Sequence, residues 1–188
     1  MVKAIVAGAA GRMGGRIIHT IHQTEGISLA AVFERADHPS VGSDIGEVAG
    51  FGQSELQIAA DLLSVMEAGD VVIDFTHHEA SVEHLRQAVA AKKPMVIGTT
   101  GFTNEEVETI RRLAEEIPCV QAPNMSMGVN LMFKVVEDMA KALGDGFDVE
   151  IIEAHHHHKK DAPSGTAVKL AQNLAIALGR DLEQVGVY

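Results

Sequence analysis

Between residues 153 and 167 the chain reads Glu153-Ala-His-His-His-His-Lys-Lys-Asp-Ala-Pro-Ser-Gly-Thr-Ala167, a density of acids, bases and cations that no purely structural role requires. Three chemistries compete for it. A metal centre needs ligands converging on one ion, whereas adjacent residues on an extended chain alternate sides, and no thiolate cluster or acidic pair stands nearby. No metal is therefore expected. A solvated polar loop is the plain alternative, but it leaves the titratable residues beside an Asp-Ala-Pro-Ser-Gly-Thr turn unexplained. The third is acid/base chemistry on an anion: a histidine near neutral pKa donates a proton, a lysine supplies fixed charge, and Gly165 and Thr166 at a helix start hold a carboxylate.

A second constellation opens the chain. Gly8-Ala9-Ala10-Gly11-Arg12-Met13-Gly14 follows an apolar strand and begins a helix. Such glycines let the backbone turn tightly against a pyrophosphate, whose charge then meets the helix N-terminal amides. The spacing G-x-x-G-x-x-G departs from the commoner G-x-G-x-x-G, but Glu34 lies 20 residues beyond Gly14, at the end of the next strand. An acid there binds ribose hydroxyls of NADH, and the adjacent Arg35 can meet the extra phosphate of NADPH. The plain alternative is close helix packing with a solvated Glu34-Arg35 pair. Gly98-Thr99-Thr100-Gly101 and Ala122-Pro123-Asn124-Met125-Ser126 each end a further strand, where small hydroxyls and carbonyls could orient a nicotinamide. Taken singly, both are equally ordinary turns. Thr76-His77-His78-Glu79 reads as a polar loop with Glu79 in a helix first turn.

The elements that position these residues alternate. Strands are expected at Lys3–Ala7, Ile27–Phe33, Val71–Phe75, Pro94–Ile97, Cys119–Ala122 and Asp148–Glu153. Helix faces appear in Met13, Ile17, Ile18 and Ile21, in Val82, Leu85 and Val89, and in Val107, Ile110 and Leu113, the last preceded by a capping box of Thr103 and Glu106. Residues 36–55, rich in Gly, Ser and Asp, read as a long loop. Leu131, Val135, Met139 and Leu143 mark a longer helix stopped by Gly144, and Leu170, Leu174 and Leu178 mark the last one, closed at Gly179. The pattern implies an α/β fold: a Rossmann-type doubly wound parallel sheet over residues 1–126, followed by part of an α+β substrate and oligomerisation domain over 127–188.

Composition sets limits. A net charge of -11 argues against binding nucleic acid, so any anionic ligand must be held by a local site working against the global field. The lone Cys119 sits in an apolar run and reads as a structural thiol. No run suits a membrane span and no secretory signal is evident, so a soluble cytoplasmic protein is expected.

Val6-Ala-Gly-Ala-Ala-Gly-Arg-Met-Gly14, Gly98-Thr-Thr-Gly101 and above all the histidine-lysine-DAPSGT run resemble the 4-hydroxy-tetrahydrodipicolinate reductase family of diaminopimelate and lysine biosynthesis, over nearly the whole chain. The resemblance implies that NADH or NADPH gives hydride to C4 of a cyclic dicarboxylate after loss of its hydroxyl, with protonation at C3. It implies that His155 is the proton donor or acceptor, that Lys159 is the cationic acid assisting dehydration, and that His156, Gly165 and Thr166 bind substrate carboxylates. It further implies that residues 8–13, Glu34, Arg35, residues 98–100 and residues 122–125 line the cofactor. Family members run on for a further half-domain that completes the substrate domain and forms a homotetramer. The expectation is therefore a chain incomplete at its C-terminus, with a nucleotide-binding fragment lacking turnover as the alternative.

Overall fold

The computed structural model describes residues 1–157 and 162–187. The chain forms two compact units, Met1–Ala122 and Pro123–Tyr188.

In the first unit, strand and helix alternate as β1 (Val2–Ala7), α1 (Arg12–Gln23), β2 (Ile27–Phe33), α2 (Ile45–Ala49), β3 (Ile58–Ala59), a 3-10 turn (Leu63–Ala68), β4 (Val71–Asp74), α3 (His78–Ala90), β5 (Met95–Ile97), α4 (Asn104–Leu113) and β6 (Cys119–Gln121). All five ladders are parallel, and the strand order is β3-β2-β1-β4-β5-β6. This is the doubly wound order, with its switch point between β1 and β4.

Period-2 alternation in β1 explains why helices cover both faces. Ala4 and Val6 pack with Ile18 and Ile21 of α1, whereas Ile5 and Ala7 pack with Val82, Leu85 and Ile110 of α3 and α4. All four strand residues are buried. Helix α4 carries the expected capping box, with the Thr103 hydroxyl accepting from the Glu106 amide at 3.2 Å and a Glu106 carboxylate oxygen accepting from the Thr103 amide at 2.7 Å. Acids in its first turn and arginines in its last complement the helix dipole.

The long loop expected over residues 36–55 contains α2. Five residues are too few to show helical periodicity, and α2 depends on its cap: Asp44 Oδ1 accepts from the Gly46 and Glu47 amides and from both the amide and the hydroxyl of Ser54. Gly50, at φ 83°, closes the helix.

The second unit contains α5 (Met127–Leu143), a 3-10 turn (Gly144–Gly146), α6 (Gly165–Ala177) and α7 (Leu182–Val185), each α-helix started by a side-chain cap from Ser126, Ser164 or Asp181. The strand expected at Asp148–Glu153 does not form. A strand needs a ladder partner, and this unit has no other strand among its described residues. The expected stripe on α5 also proves exposed: Leu131 is 64% accessible and Met139 54%, while Phe133 and Ala140 are the buried positions. The expected domain boundary after Ser126 falls in the turn leading into α5.

Candidate functional site

Helix α1 starts at the mouth of the switch point without a side-chain cap, because its N-cap is Gly11. Its first-turn amides have no intrahelical acceptor, which is the arrangement a phosphate requires. Gly8 turns the chain at φ 63°, and the Gly11 amide donates back to its carbonyl at 2.9 Å. A Cβ on Gly14 would sit 2.0 Å from the Gly8 carbonyl oxygen, so the helix can approach this closely only without one. Glu34 reaches across the turn, its Oε2 accepting from the Ala10 amide at 3.2 Å. Arg35 pairs through Nε with Asp37 at 3.2 Å on the surface.

A cleft of about 640 Å³ runs beside this turn and gathers Gly8, Gly11, Arg12, Met13, Glu34 and Arg35 on one side, with Thr76, His77 and His84 among its other walls. Ala9 and Ala10 lie in the same turn, Ala9 buried beneath it. Gly98, Thr99 and Thr100 follow β5 and Ala122 follows β6, on the same C-terminal edge of the sheet. Cys119 is half-buried, and burial pushes its thiol pKa up, which keeps it an inert thiol.

Asp74, at the end of β4, is the residue that sequence reasoning passed over. It is completely buried. Its Oδ1 accepts from the Thr76 amide at 2.9 Å, the Thr76 hydroxyl at 2.6 Å and the Ser81 hydroxyl at 2.9 Å, and its Oδ2 from His84 Nδ1 at 2.6 Å. The Ser81 hydroxyl sits 2.6 Å from that of Thr99, which itself lies 3.4 Å from Asp74 Oδ1, so this carboxylate reaches the loop after β5 both directly and through Ser81. The Thr99 hydroxyl is thus engaged internally. Burial alone would raise the Asp74 pKa, but the hydrogen bond and charge of His84 and the Thr76 donors outweigh it and hold the carboxyl below its ordinary value. An acid closing an apolar strand was the available signal.

A folded-state pKa below the unfolded one stabilises the fold fully above the unfolded carboxylate value, about 3.9, and that contribution is lost as pH falls through the folded value. The melting-temperature gap between the native chain and Asp74→Asn is therefore expected to be full near neutrality and to shrink below about pH 4. A gap that stays constant from pH 7 to pH 3 would contradict this account of the carboxylate.

In the second unit Glu153 folds the histidine segment back toward α6. Its Oε1 accepts from the Ser164 amide at 2.8 Å, while Oε2 lies 3.5 Å from His155 Nδ1. Asn124 Nδ2 donates to the Thr166 hydroxyl at 3.3 Å, joining a residue expected at the cofactor to one expected at the substrate. Gly165 and Thr166 form the first turn of α6 and His156 is exposed, whereas Lys159 lies outside the described residues. Pro123 and Met125 flank Asn124 in the turn that the Ser126 amide closes on Asn124 Oδ1 at 2.9 Å. A larger hollow of about 710 Å³ in this unit has mainly aliphatic walls and is lined by none of His155, His156, Gly165 or Thr166.

Parallel strand order, an open helix start behind a glycine turn and an acid at the end of β2 define a Rossmann-type oxidoreductase using NADH or NADPH. Two family models match, "Dihydrodipicolinate reductase, N-terminus" over residues 2–125 and "Dihydrodipicolinate reductase, C-terminus" over residues 128–187. The 4-hydroxy-tetrahydrodipicolinate reductases of Syntrophobacter fumaroxidans and Syntrophus aciditrophicus are 57% and 53% identical to it, over all of this chain and 70% of each relative. A dipicolinate-bound dihydrodipicolinate reductase from Paenisporosarcina sp. TG-14 superposes with a TM-score of 0.74 at 37% identity, covering 95% of this chain and 67% of that one. The chain belongs to the 4-hydroxy-tetrahydrodipicolinate reductase family. No helix among the described residues is long and apolar enough to cross a membrane.

Proposed function

We propose that this chain carries the site at which 4-hydroxy-tetrahydrodipicolinate is reduced to tetrahydrodipicolinate, with its own residues in the following roles. The observation that carries the reading is the open start of α1 behind the Gly8–Gly14 turn, with Glu34 reaching across it, in a chain that also bears the histidine-lysine run. The cofactor, when bound, supplies a hydride to C4 of the ring. Residues 8–13 hold its pyrophosphate, Glu34 and Arg35 its ribose or 2′-phosphate, and residues 98–100 with residues 122–125 its nicotinamide end.

His156, Gly165 and Thr166 bind the substrate carboxylates, the latter two through the positive end of α6. His155 takes a proton from C3 while Lys159 protonates the departing hydroxyl, which leaves as water and opens a C3–C4 double bond; after hydride arrives at C4, His155 returns a proton to C3. Glu153, within reach of His155 Nδ1, orients the imidazole so that Nε2 faces the substrate. The dipicolinate bound to the Paenisporosarcina reductase is itself a cyclic dicarboxylate, which supports this substrate class. Cytoplasmic location and a homotetramer belong to the same reading.

The test is an absorbance assay at 340 nm with NADH and with NADPH and freshly generated substrate. Substrate-dependent loss of nicotinamide absorbance is expected with at least one cofactor. Cofactor binding without any such loss would instead favour a nucleotide-binding unit without turnover.

A further inference from the structure

The loop between β5 and α4 is tied to α3 at both of its ends. At its start the Gly98 amide donates to the Asp74 carbonyl at 2.9 Å, and Gly98 lies so close to the Phe75 ring that an added Cβ would stand 2.0 Å from it. The side chain of Thr99 then meets Ser81 of α3. One hydroxyl proton cannot serve both neighbours of Ser81, and an ionised carboxylate only accepts. Ser81 therefore gives its proton to Asp74 Oδ1 at 2.9 Å and takes that of Thr99, 2.6 Å away. Both residues are buried, so a partner lost from this chain leaves a polar group unpaired away from water. At the far end the Thr103 amide donates to Glu106 at 2.7 Å, and His78, in the first turn of α3, donates from Nδ1 to the same carboxylate at 2.8 Å and 2.9 Å. The Thr103 amide and His78 hold Glu106 below the usual carboxylate range, which keeps it an acceptor near neutrality. The capping box of α4 is complete without His78, so what the histidine adds is a tie between the starts of two helices. Between the two ties Phe102 packs against the core, while Thr100 and Gly101 are exposed, the latter turning the chain at φ 82°.

We propose that α3 clamps this loop for hydride transfer, with Ser81 and His78 as positioning residues that hold the Thr100–Gly101 backbone against the nicotinamide end of the cofactor. The proposal rests on the cofactor reading above, in which residues 98–100 meet the nicotinamide. Neither positioning residue touches the cofactor: Ser81 acts through Thr99, and His78 through Glu106 and Thr103.

The experiment compares, by calorimetry, the affinities for NADH and for ADP-ribose, which carries the same adenosine and pyrophosphate but no nicotinamide. The native chain is expected to bind NADH about tenfold more tightly than ADP-ribose. Ser81→Ala and His78→Leu are each expected to remove most of that preference through weaker NADH binding, with ADP-ribose affinity within about twofold of native. His78→Asn, whose amide nitrogen takes the place of Nδ1, is expected to keep it. Thr99→Val removes the same bond as Ser81→Ala from its other end, so the double variant should cost no more than the worse single one. If Ser81→Ala, buried beside Asp74, does not fold, His78→Leu on the partly exposed first turn provides the readout. A preference that survives in every folded variant, or that falls only in step with ADP-ribose affinity, would overturn the proposal, as would its loss in His78→Asn. Native binding of ADP-ribose with no gain for NADH would also overturn it, while leaving the pyrophosphate turn standing. Binding of neither ligand would overturn the cofactor reading itself.

Discussion

His155→Gln is expected to lower kcat by roughly 10²–10⁴-fold while leaving NADH affinity within about threefold of the native value. Glutamine keeps the size and a hydrogen-bonding end but cannot exchange a proton near neutrality, so the loss isolates proton delivery from packing. The range corresponds to about 2.7–5.5 kcal/mol of transition-state stabilisation. Glu153 gives the comparison its discrimination: it stands 3.5 Å from His155 Nδ1 and also accepts from the Ser164 amide. Glu153→Gln retains an acceptor oxygen and loses the charge, so it should cost less than His155→Gln and move the pH profile of kcat. Lys159→Ala belongs in the same series, with turnover reduced by loss of a cation. Unchanged kcat in both His155→Gln and Lys159→Ala would remove the assignment.

Gly14→Ala is expected to destroy cofactor binding and lower the melting temperature of the chain, whereas Gly15→Ala, one position on, should raise it. The difference lies in what a methyl group would meet. At Gly14 it would stand 2.0 Å from the Gly8 carbonyl oxygen, 2.8 Å from the Gly8 carbonyl carbon and 3.0 Å from Ala9 Cα, all backbone atoms that move only if the phosphate turn moves. Overpacking of this kind costs about 1–3 kcal/mol, or several degrees for a chain of this size. At Gly15 nothing lies within 4 Å, and alanine in a helix gains about 0.5–1 kcal/mol over glycine. Calorimetry with NADH and a thermal melt on the two variants decide it. Equal behaviour of the pair would mean that the close approach of α1 to the turn is not what holds the cofactor.

The alternation of β1 and the apolar faces of α1, α3 and α4 were legible because each carries its full period within one segment: Ile18, Ile21, Val82, Leu85 and Ile110 are buried, although Met13, on the same expected face of α1, stands 47% exposed. Gly8, Gly11 and Gly14 were legible for the same reason, as glycine in that spacing has few other uses. Asp74 was not. Its meaning comes from Ser81, His84 and Thr99, up to 25 residues away, and from a sheet edge that brings them together, none of which appears in local pattern. The segment 148–153 shows the opposite failure. Its composition is that of a strand, but strand formation is a property of pairs, and a suitable sequence remains irregular where no ladder partner lies beside it. The stripe of Leu131, Val135, Met139 and Leu143 was legible as a helix, but its exposure was not, since periodicity fixes a face but not what the face meets.

Among the described residues the sheet of the first unit ends on β6, a strand of three residues, and an edge strand is a template for another chain. Pro118 immediately precedes it and Pro123 follows two residues past its end. Proline has no amide proton to donate, so an incoming strand could extend the ladder by only a few hydrogen bonds before meeting a position that cannot pair. The same brevity that makes β6 a weak contributor to the sheet therefore protects the chain against edge-to-edge aggregation, although Val120 stands 58% exposed on that border.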